Sequence, residues 1–178
     1  MPSEFLLATA VALPAQSGVV HTYESVHLAD AFAIPLPAGA STDPEVLARF
    51  LFAQQPSWVG KLMLVRDAVV ARFGLKTGKH LATLAGAAAD RRVGIFKVYS
   101  TDATEIVVGE DDRHLDFRVS VLCSRTGGPD AGARLTVSTV VHCNNLLGRS
   151  YLFVIAPFHR LVVKASLRRA ARVGWPRA

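Results

Sequence analysis

The residues best equipped for chemistry lie on two stretches in the last third of the chain. His114, Asp116, Arg118 and Ser120 alternate along one, and Ser138 and His142 share a parity on the other. Alternation places each set on one face of a strand. If Gly127-Gly128-Pro129-Asp130 turns the chain, the two strands form a hairpin that sets His142 opposite Asp116. A carboxylate beside an imidazole is the pairing of a general base, and a neighbouring guanidinium could clamp an anion. Asp116, His142 and His114 are therefore the candidate catalytic residues. The same side chains would serve equally as cross-strand pairs on a solvated face, each worth roughly 0.2–1 kcal/mol.

Other chemistry is thinly represented. No histidine stands four residues from another and no carboxylate falls at zinc-protease spacing, so neither a metal nor a cofactor is expected. Gly74-Leu75-Lys76-Thr77-Gly78-Lys79-His80 resembles a phosphate-binding loop but is one residue short, with His80 where Ser or Thr would hold magnesium. It reads as a solvated loop. Neither a dinucleotide fingerprint nor a nucleophile elbow occurs.

The elements that must position these residues follow from periodicity. Extended segments are expected at His21–Leu36, Val93–Tyr99, Glu105–Gly109, His114–Ser124 and Arg134–Asn144. Asp43-Pro44-Glu45 opens a short helix to about Phe52, and a second is expected from Val59 to Phe73, stopped by Gly74. Residues 75–92 stay open between a helical turn and a loop. Residues 1–20 read as an N-terminal arm or strand of a single 178-residue domain. Asn144 or Asn145 caps a long final helix of about Leu146–Val173, with Gly148 allowing close approach to the sheet. Segregated helices and an antiparallel strand run mean α+β.

In the hairpin register Cys123 faces Leu135 and Cys143 faces Leu115, too far apart to bridge. Two free thiols and no recognisable export signal suit a cytoplasmic protein. The positive charge is concentrated at the end: residues 149–178 hold seven Lys or Arg and no acid. Arg160, Lys164, Arg168 and Arg172 form an i+4 row that reads as a solvated face favoured by the helix dipole. Without interleaved aromatics it predicts no nucleic-acid partner. No apolar run near the ~20 residues of a membrane span is apparent.

His114–Val121, Ser138–Val141, Asn145–Tyr151 and Pro157-Phe158-His159-Arg160 together resemble the bacterial domain-of-unknown-function family 2867. The Ala29–Pro37 strand and the Trp58–Asp67 helix are similar too. The resemblance implies a START-related helix-grip fold of the birch-pollen-allergen type (the SRPBCC superfamily). In that fold an antiparallel sheet wraps a long C-terminal helix around an apolar cavity. It brings no chemistry with it.

A sheet feeding a helix that must lie across it can enclose a container. The expected occupant is a small apolar or amphipathic molecule lined by Phe117, Val119, Val137, Val141, Tyr151, Ile155 and Phe158, with Arg118 and Arg149 as polar anchors. Two alternatives stand beside this: an enzyme of the cyclase, aromatase or hydratase type using Asp116 and His142, or an interaction module whose basic helix docks an acidic partner or membrane. The sequence indicates no oligomeric state.

Overall fold

The computed structural model describes residues 7–62, 64, 92–125 and 132–178. Seven strands, a short helix and one long helix organise them. In chain order these are β1 (Thr9–Val11), β2 (Leu28–Pro35), α1 (Pro44–Ala53), β3 (Arg92–Val93), β4 (Phe96–Thr101), β5 (Glu105–Asp111), β6 (Leu115–Arg125), β7 (Ala133–Cys143) and α2 (Leu146–Val173). The strands form one antiparallel sheet in the order β1-β2-β7-β6-β5-β4-β3. With the long C-terminal helix laid across it, this is the expected α+β arrangement of helix-grip type.

Each boundary has a local cause. Asp43 caps α1 by accepting from the amides of Glu45 and Val46 at 2.8 and 3.0 Å, with Pro44 at the first helical position. Leu47, Ala48 and Leu51 then turn one stripe of α1 into the core. Asn145 caps α2 by accepting from the Gly148 amide at 3.0 Å. Gly148 is required there: a Cβ would lie 2.0 Å from the His114 carbonyl oxygen, so only a glycine lets the helix start this close to the sheet.

The hairpin register is the expected one. Asp116 pairs with His142, Cys123 with Leu135, and Cys143 with Leu115, and both thiols are free and buried. The inner face of the sheet is apolar. Phe32 and Ile34 of β2, Ile106 and Val108 of β5, Val119 and Val121 of β6, and Leu135 and Val137 of β7 pack against α1 and the C-terminal half of α2 through Leu167 and Ala170. A smaller cluster of Leu28, Val141 and Cys143 meets Leu152 near the helix start.

The outer face is covered as well, which alternation alone did not anticipate. Residues 21–27, expected to be extended, run instead in turns and bends, and with the residues before them they lie across β5–β7. Val19 packs on Val107 and Val140 with Leu13, Tyr23 and Tyr99 around it. The buried Glu105 carboxylate fastens this arm: it accepts from the Ser17 hydroxyl at 2.5 Å, the Gly18 amide at 2.8 Å and the Ser120 hydroxyl.

Three other differences from expectation concern extent. The strands are seven rather than five, because Thr9–Val11 adds to the edge of β2 and Arg92–Val93 pairs separately with β4. The second helix is present over residues 57–62 and at residue 64. Its remainder, the Gly74–His80 loop, residues 75–91 and the turn at 127–130 lie outside the described residues. The most apolar 18 residues within α2 have a mean hydropathy of 1.3, long and apolar enough by composition to cross a membrane, so the expectation that no segment reaches that threshold is corrected. In this fold one side of the helix packs on the sheet.

Candidate functional site

α2 touches the sheet core near both ends. Leu152 and Ala156 pack on β6 and β7 at one end, and Leu167 and Ala170 pack on the main core at the other. Between those contacts a partly open cavity of about 250 Å³ separates helix from sheet. Its floor is Leu115, Phe117 and Val119 of β6 with Val137, Thr139 and Val141 of β7. Its roof is the stripe Tyr151, Leu152, Ile155, His159, Val162, Val163 and Ser166 of α2. Leu51, Phe52, Gln55, Ile95 and Phe96 close one side. The floor follows from period two and the roof from periods three and four.

Among the described lining residues none is Lys, Arg, Asp or Glu. The polar groups are Gln55, Thr139, the Tyr151 phenol, His159 and Ser166. His159 Nε2 stands 3.3 Å from Oδ1 of Asp30, whose side chain is only 10% exposed. Asp30 is the cross-strand neighbour of Thr139, on the β2 face that also carries Phe32 and Ile34. Arg160 approaches its other oxygen at 3.4 Å. The Ser166 hydroxyl is buried and has no hydrogen-bond partner.

Six of the residues expected to line a container do line this cavity: Phe117, Val119, Val137, Val141, Tyr151 and Ile155. Phe158 does not; it is 45% exposed on the far side of the helix. Arg149 is exposed at the helix start and is also absent from the lining. Arg118 belongs to the outer face, because its parity on β6 is opposite to that of Phe117 and Val119. There it stacks on the ring of Tyr99 at 3.5 Å, lies 5.6 Å from that of Tyr23, and donates to Asp111 at 2.7 Å.

The outer strip itself is occupied with structural work. His142 contacts the Ser25 carbonyl and hydroxyl through Nδ1, at 2.7 and 3.0 Å, and stacks on Tyr23. Asp116 accepts from the Asp112 amide and the Asn144 side chain, at 3.0 and 3.3 Å. Asp116 and His142 are thus register partners whose hydrogen bonds run to other groups. His114 is buried and accepts from the Asn145 amide group at 3.0 Å, bracing the helix cap. None of the three reaches the cavity.

Electrostatics on the outer face agree with that role. Burial, with the hydrogen bond to Asp111, holds the Tyr99 hydroxyl well above its usual range, and burial moves Tyr23 up to about 12. Burial works against the Asp111 charge, but hydrogen bonds from Arg118 and Tyr99 outweigh it and the carboxyl is held below its ordinary range. His27 is held low by desolvation, then by the charges of Arg149 and His142. Its Nδ1 accepts from the Cys143 amide at 3.1 Å, which also needs that nitrogen unprotonated.

The basic row of α2 is less uniform than a solvated face. Arg160 turns back toward Asp30, Lys164 lies 5.1 Å from the Phe32 ring centre, and Arg168 has a buried Nε without a partner. Asp30, His159, Thr139 and Ser166 were not anticipated as site residues. Their signal was present nonetheless: each is a polar residue at a position where the local period demands an apolar, inward-facing one.

Among the described residues no cluster of three or more His, Cys, Asp or Glu could hold a metal ion. No curated protein and no solved structure matches the chain. One family model does, over residues 22–166, a span that begins in the outer-face arm and ends at the last cavity residue of α2. The chain therefore belongs to the family described as "Protein of unknown function (DUF2867)".

Proposed function

We propose that this protein binds a small, largely apolar molecule in the space between its sheet and its C-terminal helix. The observation that carries the reading is the 250 Å³ cavity floored and roofed by apolar side chains. It lies just below the about 300–1,000 Å³ of ordinary ligand pockets, which points to a compact occupant of one or two rings. Placement in the START-related helix-grip superfamily is part of the same proposal, supported by the sheet, the long helix and the cavity between them. So is a cytoplasmic location, which the two free thiols favour. The outer-face positions of Asp116 and His142 lend the cyclase-type reading no support.

The test is mass spectrometry of the purified protein, followed by equilibrium dialysis against 1-methylnaphthalene with wild type and Val137→Phe. A copurifying apolar molecule, or probe uptake that falls at least tenfold when the new ring fills the space, is the expected result. A wild type that carries nothing and takes up no probe would remove the reading.

A second reading has its own observation. Leu146, Phe153, Val154 and Leu161 on the outward side of α2 are each more than half exposed, and Arg160 and Arg172 are exposed on the same helix. A surface that is apolar and cationic suits an anionic membrane. Flotation with vesicles of anionic against zwitterionic lipid distinguishes it from the container.

A further inference from the structure

The largely apolar cavity wall carries a few polar groups, and the chemistry of one of them, His159, restricts what can occupy it. Asp30 carries two acceptor oxygens, so the imidazole nitrogen facing it, Nε2 of His159, must bear the hydrogen. That fixes the tautomer of the neutral ring: Nδ1 is left as an acceptor, and among the described residues no other group bonds to the ring. Ser166 lies two helical turns further along the same roof stripe, about 10 Å away by helix rise, with its buried hydroxyl also unpartnered. The Ser166 hydroxyl is sealed into the wall, whereas His159 is part-exposed and its Nδ1 is open to an occupant.

Charge narrows the class. No Lys or Arg is among the described lining residues, and the Arg160 guanidinium beside Asp30 is engaged by that carboxylate, so an anionic ligand would meet no free cation on the wall. A cationic ligand would find no carboxylate on the wall itself. Either charge would be desolvated without repayment. A neutral hydroxyl meets neither penalty.

Resting on the container reading, we infer that Asp30 and His159 form the recognition pole for a neutral, compact aromatic or alicyclic molecule bearing a phenol- or enol-type hydroxyl. The hydroxyl donates to His159 Nδ1, Asp30 holds the ring in that tautomer, and the hydrocarbon body lies on Phe117, Val119 and Ile155. Asp30 is a positioning residue, acting on the ligand only through His159.

Equilibrium dialysis with three probes of one shape tests this: 1-naphthol, 1-methoxynaphthalene and 1-methylnaphthalene. One hydrogen bond to a buried group gives about a tenfold preference. Wild type should therefore bind the naphthol about tenfold more tightly than either of the others. His159→Leu should erase that preference and Asp30→Asn should reduce it, each read as the ratio of naphthol to methylnaphthalene affinity within the same variant. If all three probes bind wild type equally, the pole is refuted and the container stands. A methoxy compound that binds as tightly as the naphthol refutes it too, because the wall would then be donating. If none of them binds, the pole is refuted, and the container falls with it when the purified protein also carries no apolar molecule. The wild-type comparison decides the matter even if a variant does not fold.

Discussion

Ser166 offers a quantitative check on the cavity wall, because its hydroxyl is buried and unpaired in the middle of a helix. Replacing it with alanine removes a polar group whose desolvation goes unrepaid, worth about 1–3 kcal/mol. It also gains about 0.5 kcal/mol of helix propensity, which has nothing to do with the cavity. Ser150, exposed on the same helix, isolates that second contribution. Ser166→Ala should therefore stabilise the ligand-free protein by at least about 1 kcal/mol more than Ser150→Ala does. For a chain of 178 residues this is about 2–4 °C in Tm. Thermal melts followed by circular dichroism, with urea denaturation as a second measure, resolve a difference of that size. Equal gains from the two substitutions would mean that the Ser166 hydroxyl finds a partner after all, and the argument from an unsatisfied wall would collapse.

Two further expectations concern the scaffold. Gly148→Ala drives a Cβ against the His114 carbonyl and should cost about 3 kcal/mol, seen as a lowered urea midpoint with unchanged slope. His27 gives a pH dependence whose sign is fixed by its lowered value. As pH falls through about 6.5 the unfolded chain takes up the proton before the folded one does, so the stabilising contribution is full above that pH and lost below it. Wild-type Tm should drop between pH 7 and 5, and His27→Gln should drop less over the same interval; parallel curves would rule His27 out as the source.

What could be read from the chain was what depends on neighbours in sequence. The β6–β7 register was legible because Leu115, Phe117, Val119 and Val121 keep strict alternation and Leu135, Val137 and Val141 answer it. The first helix was legible in Asp43-Pro44, and the start of the last in Asn145 and Gly148. The lining residues on the floor follow from the same parity. The outer face was harder. Nothing in residues 21–27 marks them as a cover, since their partners, such as Ser25 with His142, lie 117 positions away. Asp30 and His159 are 129 apart, and only the fold reveals that they meet. Asp116 and His142 made the opposite case: the sequence brings them into register, and side-chain geometry then turns each toward a different partner.

The pairing of β2 with β7 has a consequence for how the chain is made. Leu28 to Pro35 pairs on one edge with the three residues of β1 and on the other with residues 134–141, so the strand carrying Phe32 and Ile34 leaves the ribosome about a hundred residues before its long partner. The hairpin of β6 and β7 closes locally and can form at once, whereas docking β2 closes a loop that spans most of the domain. Until then the N-terminal strand presents an unpaired apolar edge to whatever is nearby, during synthesis and after any unfolding. The newborn chain, rather than the finished one, is the form most exposed to aggregation and most in need of a chaperone.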